Sequence, residues 1–222
     1  ALATGDPGGI GPEICLKAAM DPELAAICRP VLYGDPAALN MHMRACGIDI
    51  AFDIGVTLNE FDWDKSAPKL CALNQFGSTP FELGAVNAQN GLASLDSASA
   101  AIKAALDRQV AAVVAAPQNQ KAIASAGVEF DGYPAFVAGE TGLAPEDVFL
   151  MLCFDDMRIA HCTLHSSVRS SIELITYDRV RGVIGAVDDT LIRMTGVQPK
   201  IVVGGLNPHA GEAGHMGREE ID

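Results

Sequence analysis

Short apolar runs rich in Val, Leu and Ala alternate with amphipathic stretches along the whole chain. That alternation limits the available folds more than any other feature of the sequence. Residues 2–4 lead through a glycine-rich turn into 12–20, where apolar residues recur at helical spacing and Pro12 suits a first helical turn. Residues 29–35 read as a strand and 36–47 as a helix closed by Gly47. A long alanine-rich helix over 91–109 precedes "VAAVVAAP" at 110–117, which reads as a buried strand ended by Pro117. Further on, 147–156 and 158–165 read as paired strands, 166–176 and 177–196 as helices, and 200–206 as a strand again. Repeated strand–helix units predict an α/β fold with a parallel or mixed sheet. A composition shift near 125–135 divides it into a first α/β domain over 1–125 and a second over 126–222.

A chain of 222 residues is long enough for one large or two small domains with a real core. Its 15 basic residues against 28 acidic ones, a net charge of −13, argue against a nucleic-acid partner, which needs a basic face to displace counterions. The longest apolar runs are too short to span a bilayer, so no membrane partner is expected. The opening "ALATGDPGG" carries no basic leader, and a cytoplasmic protein is expected. The six cysteines (15, 28, 46, 71, 153 and 162) are scattered without a CxxC pair and read as reduced core thiols.

Three segments carry candidate chemistry. Gly5–Glu13, "GDPGGIGPE", follows a strand and opens a helix, where backbone amides could hold an anion. It lacks the GxGxxG spacing and any GK[ST], and Pro7 and Pro12 remove donors, so a tight strand-to-helix turn is the competing reading. His165 and His209 each sit just past a predicted strand end. In parallel α/β sheets such ends converge on the ligand crevice, so the two form a plausible pair of metal ligands. His161 reads as a core or supporting residue, His42 as a surface helix residue, and His215 as a residue of a glycine-rich loop. Ser166, Ser167 and Ser170 open a helix without a GxSxG elbow and read as caps rather than nucleophiles.

Four stretches, "GDPGGIGPEICLKA", "GVEFDGYPAF", "CTLHSSVRSSIELIT" and "GLNPHAGEAGHMGREEID", resemble the 4-hydroxythreonine-4-phosphate dehydrogenase (PdxA) family, in order from residue 1 to 222. The resemblance implies an isopropylmalate-dehydrogenase-like pair of α/β domains with the active site in a cleft between them, working as a homodimer. It implies NAD and a divalent metal (Zn, Mg, Mn or Co), with His165 and His209 as metal ligands. The implied reaction oxidises a secondary alcohol of a small carboxylate and decarboxylates the keto acid. Family chains continue for about another third, with a third histidine ligand in an HDQG motif. On that pattern the C-terminal part is missing here, and an inactive truncated member is one alternative. Where vitamin B6 enzymes of the family carry Gly-His-Thr-Glu against the substrate phosphate, this chain has Gly132-Tyr133-Pro134-Ala135. Losing an imidazole and a hydroxyl donor there, while gaining an aromatic face, looks closer to the branch that oxidises the cis-dihydrodiol of terephthalate, with Tyr133 and Pro134 as substrate contacts. Lys121, at the position of a lysine in the B6-pathway enzymes, points the other way. 4-Hydroxythreonine 4-phosphate or a sugar-acid phosphate is therefore the alternative substrate.

Overall fold

The computed structural model describes residues 1–222 apart from Asn74, Gln75, Gly77, Ser78, His165 and the side chain of Pro145. They divide into two units, Ala1–Gly142 and Leu143–Asp222.

The first unit is an α/β layer structure around a parallel sheet. Its elements are β1 (Leu2–Ala3), α1 (Gly11–Ala19), α2 (Pro22–Ile27), β2 (Val31–Gly34), α3 (Pro36–Cys46), β3 (Asp53–Gly55), β4 (Lys69–Ala72), α4 (Ala88–Leu106), β5 (Val114–Ala115), α5 (Gln120–Ser125) and α6 (Tyr133–Thr141). The strand order is β3-β4-β2-β1-β5, every pair parallel. Successive strand side chains serve opposite faces. Val31, Tyr33, Ala3 and Cys71 pack with Ala98, Ala101 and Ala104 of α4. Leu32 and Leu70 pack on the other face with Cys15 and Leu16 of α1 and Leu39 of α3. Helices on both faces explain why all four residues of β2, and all four of β4, are buried. Asp21, Asp35 and Asn87 cap α2, α3 and α4 with their side chains, and Gly47 ends α3 in the left-handed region at φ 64°.

Several sequence expectations shift here. Residues 126–142 belong to the first unit rather than a second domain starting at 126, because α6 packs on α4 and Tyr133 and Phe136 join the first core. The run 110–117 is not a buried strand. Only Val114 and Ala115 pair, with β1 alone, and Val114 is 62% exposed at the sheet edge. His42 is 3% exposed, not a surface residue: its Nε2 lies 2.8 Å from the Pro7 carbonyl oxygen. Among the thiols Cys15 and Cys71 are buried, whereas Cys28, Cys46 and Cys153 are exposed.

The second unit carries an antiparallel hairpin, β6 (Met151–Phe154) with β7 (Met157–Ala160), then α7 (Val168–Leu174) and α8 (Tyr177–Thr195). Asp155 takes the left-handed backbone that a two-residue hairpin turn demands. Thr176 caps α8 and Gly196 ends it at φ 72°. The predicted strand at 200–206 does not form. A groove of about 830 Å³ separates this segment from β7 and the Val183–Leu191 face of α8, and Val202 stays 91% exposed. No helix among the described residues is long and apolar enough to cross a membrane.

Candidate active site

In the first unit the chain runs from β1 outward to β2 and returns on the other side as β5, so the carboxyl ends of β1 and β5 form a topological switch point. The Gly5–Ile10 turn and Pro117–Asn119 leave the sheet there. Four of the turn's amides are already used within the protein, which favours the tight strand-to-helix turn over an anion cradle at those positions. Gly5 N donates to Ser97 Oγ (3.2 Å), Asp6 N to the Pro117 carbonyl (3.1 Å), Gly8 N to Asp6 Oδ1 (2.8 Å) and Gly9 N to the Asp6 carbonyl (3.0 Å). Gly5 is required: it sits at φ 69°, and a Cβ there would lie 2.5 Å from the Pro117 carbonyl oxygen. Asp6 is buried, and that burial pushes its carboxyl above the usual range. Beside the turn, Asn90 donates to the Ala85 carbonyl (2.8 Å) and Gln118 to the Ser94 carbonyl (3.3 Å). Asn90 Oδ1 and Gln118 Oε1 are buried without a partner among the described residues. This polar face of α4 was not foreseen from the sequence, where Asn90, Ser94 and Ser97 look like ordinary polar positions of an alanine-rich helix.

Tyr133 and Pro134 open α6 behind Gly132, whose φ of 97° few other residues adopt. The Tyr133 ring packs against the first core and meets Phe130 edge-on, with centroids 6.2 Å apart. Its hydroxyl donates to the Ala116 carbonyl (2.8 Å), and burial pushes its pKa up to about 12. The hydroxyl is thus committed to the scaffold. Lys121 is exposed in the first turn of α5.

His209 lies in a turn of unusual backbone. Pro208–Gly214 forms a 3₁₀-type turn in which six successive residues, His209 to Gly214, have positive φ, four of them not glycine: His209 (52°), Ala210 (51°), Glu212 (42°) and Ala213 (56°). Each such non-glycine residue costs about 1–2 kcal/mol. The turn is closed by Met216 N to the Gly211 carbonyl (3.0 Å) and Ala210 N to the Asn207 carbonyl (3.1 Å). Asn207 braces its entry: the backbone N and Nδ2 donate to Glu220 Oε1 (2.6 Å) and Oε2 (3.0 Å), and Nδ2 also reaches Glu219 Oε2 (2.6 Å). These bonds hold both carboxyl groups below the usual range; the Asn207 amide is the main cause for Glu220, and backbone amide bonding the main one for Glu219. No periodicity signals a fork between residues 207 and 220.

His165 lies outside the described residues. Three residues before it, the Cys162 carbonyl accepts from Arg179 Nε (2.7 Å); Arg179 also donates to the Glu146 carbonyl and stacks 4.4 Å over the Phe149 ring. His161 is half-buried and its backbone N donates to the Leu150 carbonyl (3.0 Å); His215 is exposed. Ser167 caps α7 by accepting from Ser170 N (3.1 Å). Among the described residues no three His, Cys, Asp or Glu side chains gather as a metal cluster. His209 therefore stands as the one described donor of the predicted pair. Its exposed imidazole, with no hydrogen-bond partner among the described residues, fits one position in a coordination sphere.

Comparison with known proteins is decisive for the family. The model for the pyridoxal phosphate biosynthetic protein PdxA matches residues 26–222. The chain belongs to the PdxA family. It is 36% identical, over 99% of its length, to a 1,2-dihydroxy-3,5-cyclohexadiene-1,4-dicarboxylate dehydrogenase from Comamonas sp, and 36% identical over its whole length to the 4-hydroxythreonine-4-phosphate dehydrogenase of Chromobacterium violaceum. It spans 65% of the length of each. The crystal structure of 4-hydroxythreonine-4-phosphate dehydrogenase from Klebsiella pneumoniae covers 99% of this PdxA-family chain at a TM-score of 0.85 and 30% identity, with 66% of that chain matched. Among similar curated proteins the 4-hydroxythreonine-4-phosphate name recurs more often than the cyclohexadiene name.

Proposed function

We propose that this chain serves a metal-dependent, NAD-linked dehydrogenase that oxidises a secondary alcohol of a phosphorylated hydroxy acid, of the 4-hydroxythreonine 4-phosphate class, and decarboxylates the keto acid formed. The observation that carries this reading is the whole-chain similarity to proteins of that name, which outnumber the cyclohexadiene relative. That preference replaces the terephthalate dihydrodiol as first choice. The protein is proposed to act as a cytoplasmic homodimer on a small-molecule carboxylate. His165 and His209 would hold the cation; imidazole donors suit zinc or cobalt better than magnesium. When bound, the cation supplies Lewis-acid polarisation of the substrate hydroxyl and NAD supplies the hydride acceptor. The chain itself contributes the placement of one imidazole on a braced, left-handed turn and the scaffold that carries the Tyr133 ring.

A dihydrodiol carboxylate is the second reading. Tyr133-Pro134 in place of a His-Thr pair favours it: the Tyr133 hydroxyl is already bonded to Ala116, so this position gives a phosphate no side-chain donor and leaves an aromatic face. The two readings separate on NAD reduction by the complete gene product with each substrate. Turnover of 4-hydroxythreonine 4-phosphate and none of the dihydrodiol supports the first; the reverse pattern overturns it. Replacing Tyr133-Pro134 by His-Thr is expected to move preference toward the phosphate.

A further inference from the structure

We propose that Glu220, acting through Asn207, is a positioning residue that aims the His209 imidazole at a divalent cation; the inference rests on the metal reading of His209 above. A run of six residues with positive φ does not hold itself in place, since each of its four non-glycine members prefers the right-handed or extended region. Its internal bonds, Ala210 N to Asn207 O and Met216 N to Gly211 O, close the turn without fixing how it leaves the chain on either side. Glu220 does that. One carboxylate takes both the backbone N and the side-chain Nδ2 of Asn207, two residues before His209, as a fork at 2.6 and 3.0 Å.

The same carboxylate reaches the far limb of the turn. A Cβ on Gly211 would lie 3.1 Å from Glu220 Oε2 and 2.8 Å from the Gly217 carbonyl oxygen. A Cβ on Gly217 would lie 2.6 Å from Asn207 Nδ2 and 2.5 Å from Glu219 Oε2. The entering limb, the returning limb and Glu220 are therefore in mutual contact, and only glycine at 211 and 217 lets them close. The carboxylate bonds neither ring nitrogen of His209; it sets the backbone from which the imidazole projects.

Outer-shell groups bonded directly to a ligating imidazole change metal affinity about 10- to 100-fold, and a residue acting through the backbone is expected at the low end, about 10-fold. The test titrates zinc alone into the purified protein and its Glu220→Ala, Glu220→Gln, His209→Ala and Asp222→Ala variants, and follows amide exchange at Ala210 and Met216. Asp222→Ala removes a neighbouring charge, paired with Arg218 at 2.6 Å, without touching the fork. The expected pattern is zinc binding that His209→Ala abolishes, Glu220→Ala weakens about 10-fold with faster exchange at both amides, Glu220→Gln weakens less, and Asp222→Ala leaves unchanged. Zinc binding lost with His209→Ala but equal in wild type and Glu220→Ala overturns the positioning role and leaves the metal reading standing. Equal losses in Glu220→Ala, Glu220→Gln and Asp222→Ala overturn it in favour of bulk charge. No zinc binding by the wild type, or binding indifferent to His209→Ala, overturns the metal reading and this inference with it.

Discussion

The two units hold their shape by different means. In Ala1–Gly142 the apolar side chains of a parallel sheet are covered on both faces, and nearly every fully buried hydrophobic residue belongs to that unit. In Leu143–Asp222, Val183 is the one hydrophobic side chain in the described core; caps, left-handed turns and polar forks fix the rest. A scaffold built on apolar burial tolerates little change in volume, whereas one built on local polar geometry is sensitive to single donors and acceptors.

Core truncation gives the largest expected contrast. Leu70→Ala, at a 1% exposed site gripped by α1 and α3, is expected to cost about 3 kcal/mol in denaturant unfolding. Val183→Ala should cost about 1–2 kcal/mol. Comparable losses would mean that the second unit has a core of the first unit's kind.

Added methyl groups sharpen the contrast by changing sign. A Cβ on Gly91 in α4 would lie 2.4 Å from the Ala122 carbonyl oxygen, so Gly91→Ala is expected to destabilise by about 1–3 kcal/mol. A Cβ on Gly185 in α8 meets nothing within 4 Å, so Gly185→Ala should stabilise by about 0.5–1 kcal/mol through helix propensity. Thermal unfolding of the two variants checks both signs, and destabilisation at Gly185 would reveal a neighbour on that face.

The carboxyl groups also move in opposite directions. Burial raises Asp6 above its unfolded value. Between the two values the folded state binds more protons, so this group's contribution worsens as pH rises through that window. Asp6→Asn is expected to remove that slope and to hold or raise stability at neutral pH. Glu220 is lowered by the Asn207 amide, so its contribution is present above its unfolded value and is lost as pH falls through its depressed one. On lowering pH from about 6 to about 3, protection against amide exchange, corrected for the slower intrinsic exchange at low pH, should fall around residues 207–217 before it does in β2 and β4. Simultaneous loss of protection in both units would contradict the assignment.

The most local expected effect is at Arg179. Lys keeps the charge but loses the planar fork that reaches Cys162 and Glu146, so Arg179→Lys should speed exchange near residues 160–164 by about 10-fold and leave the first unit unchanged. Changes spread over both units would show that Arg179 supports more than this segment.

The same contrast decides what was legible in the sequence. Helices over 12–20, 36–47 and 177–196, the 29–35 strand and the 147–165 hairpin stand close to where apolar period and closing glycines put them. Period failed where burial did not follow apolarity. Runs 110–117 and 200–206 have strand composition, but Val114 lies at an edge and Val202 faces a groove. His42 looked polar and exposed on its helix, yet the Pro7 carbonyl gives its ring nitrogen a buried partner. His209 is singled out in the sequence by its place past an apolar run, whereas the fork that braces its turn joins residues 13 positions apart and leaves no periodic trace.

The most direct measurement is divalent-metal-dependent NAD reduction with 4-hydroxythreonine 4-phosphate by the complete gene product, compared with its His209→Ala variant at equal thermal stability. The account predicts turnover in the wild type that falls at least about 100-fold when this imidazole is removed, as expected for the loss of a ligand to a Lewis-acid cation. Turnover unaffected by His209→Ala would contradict it.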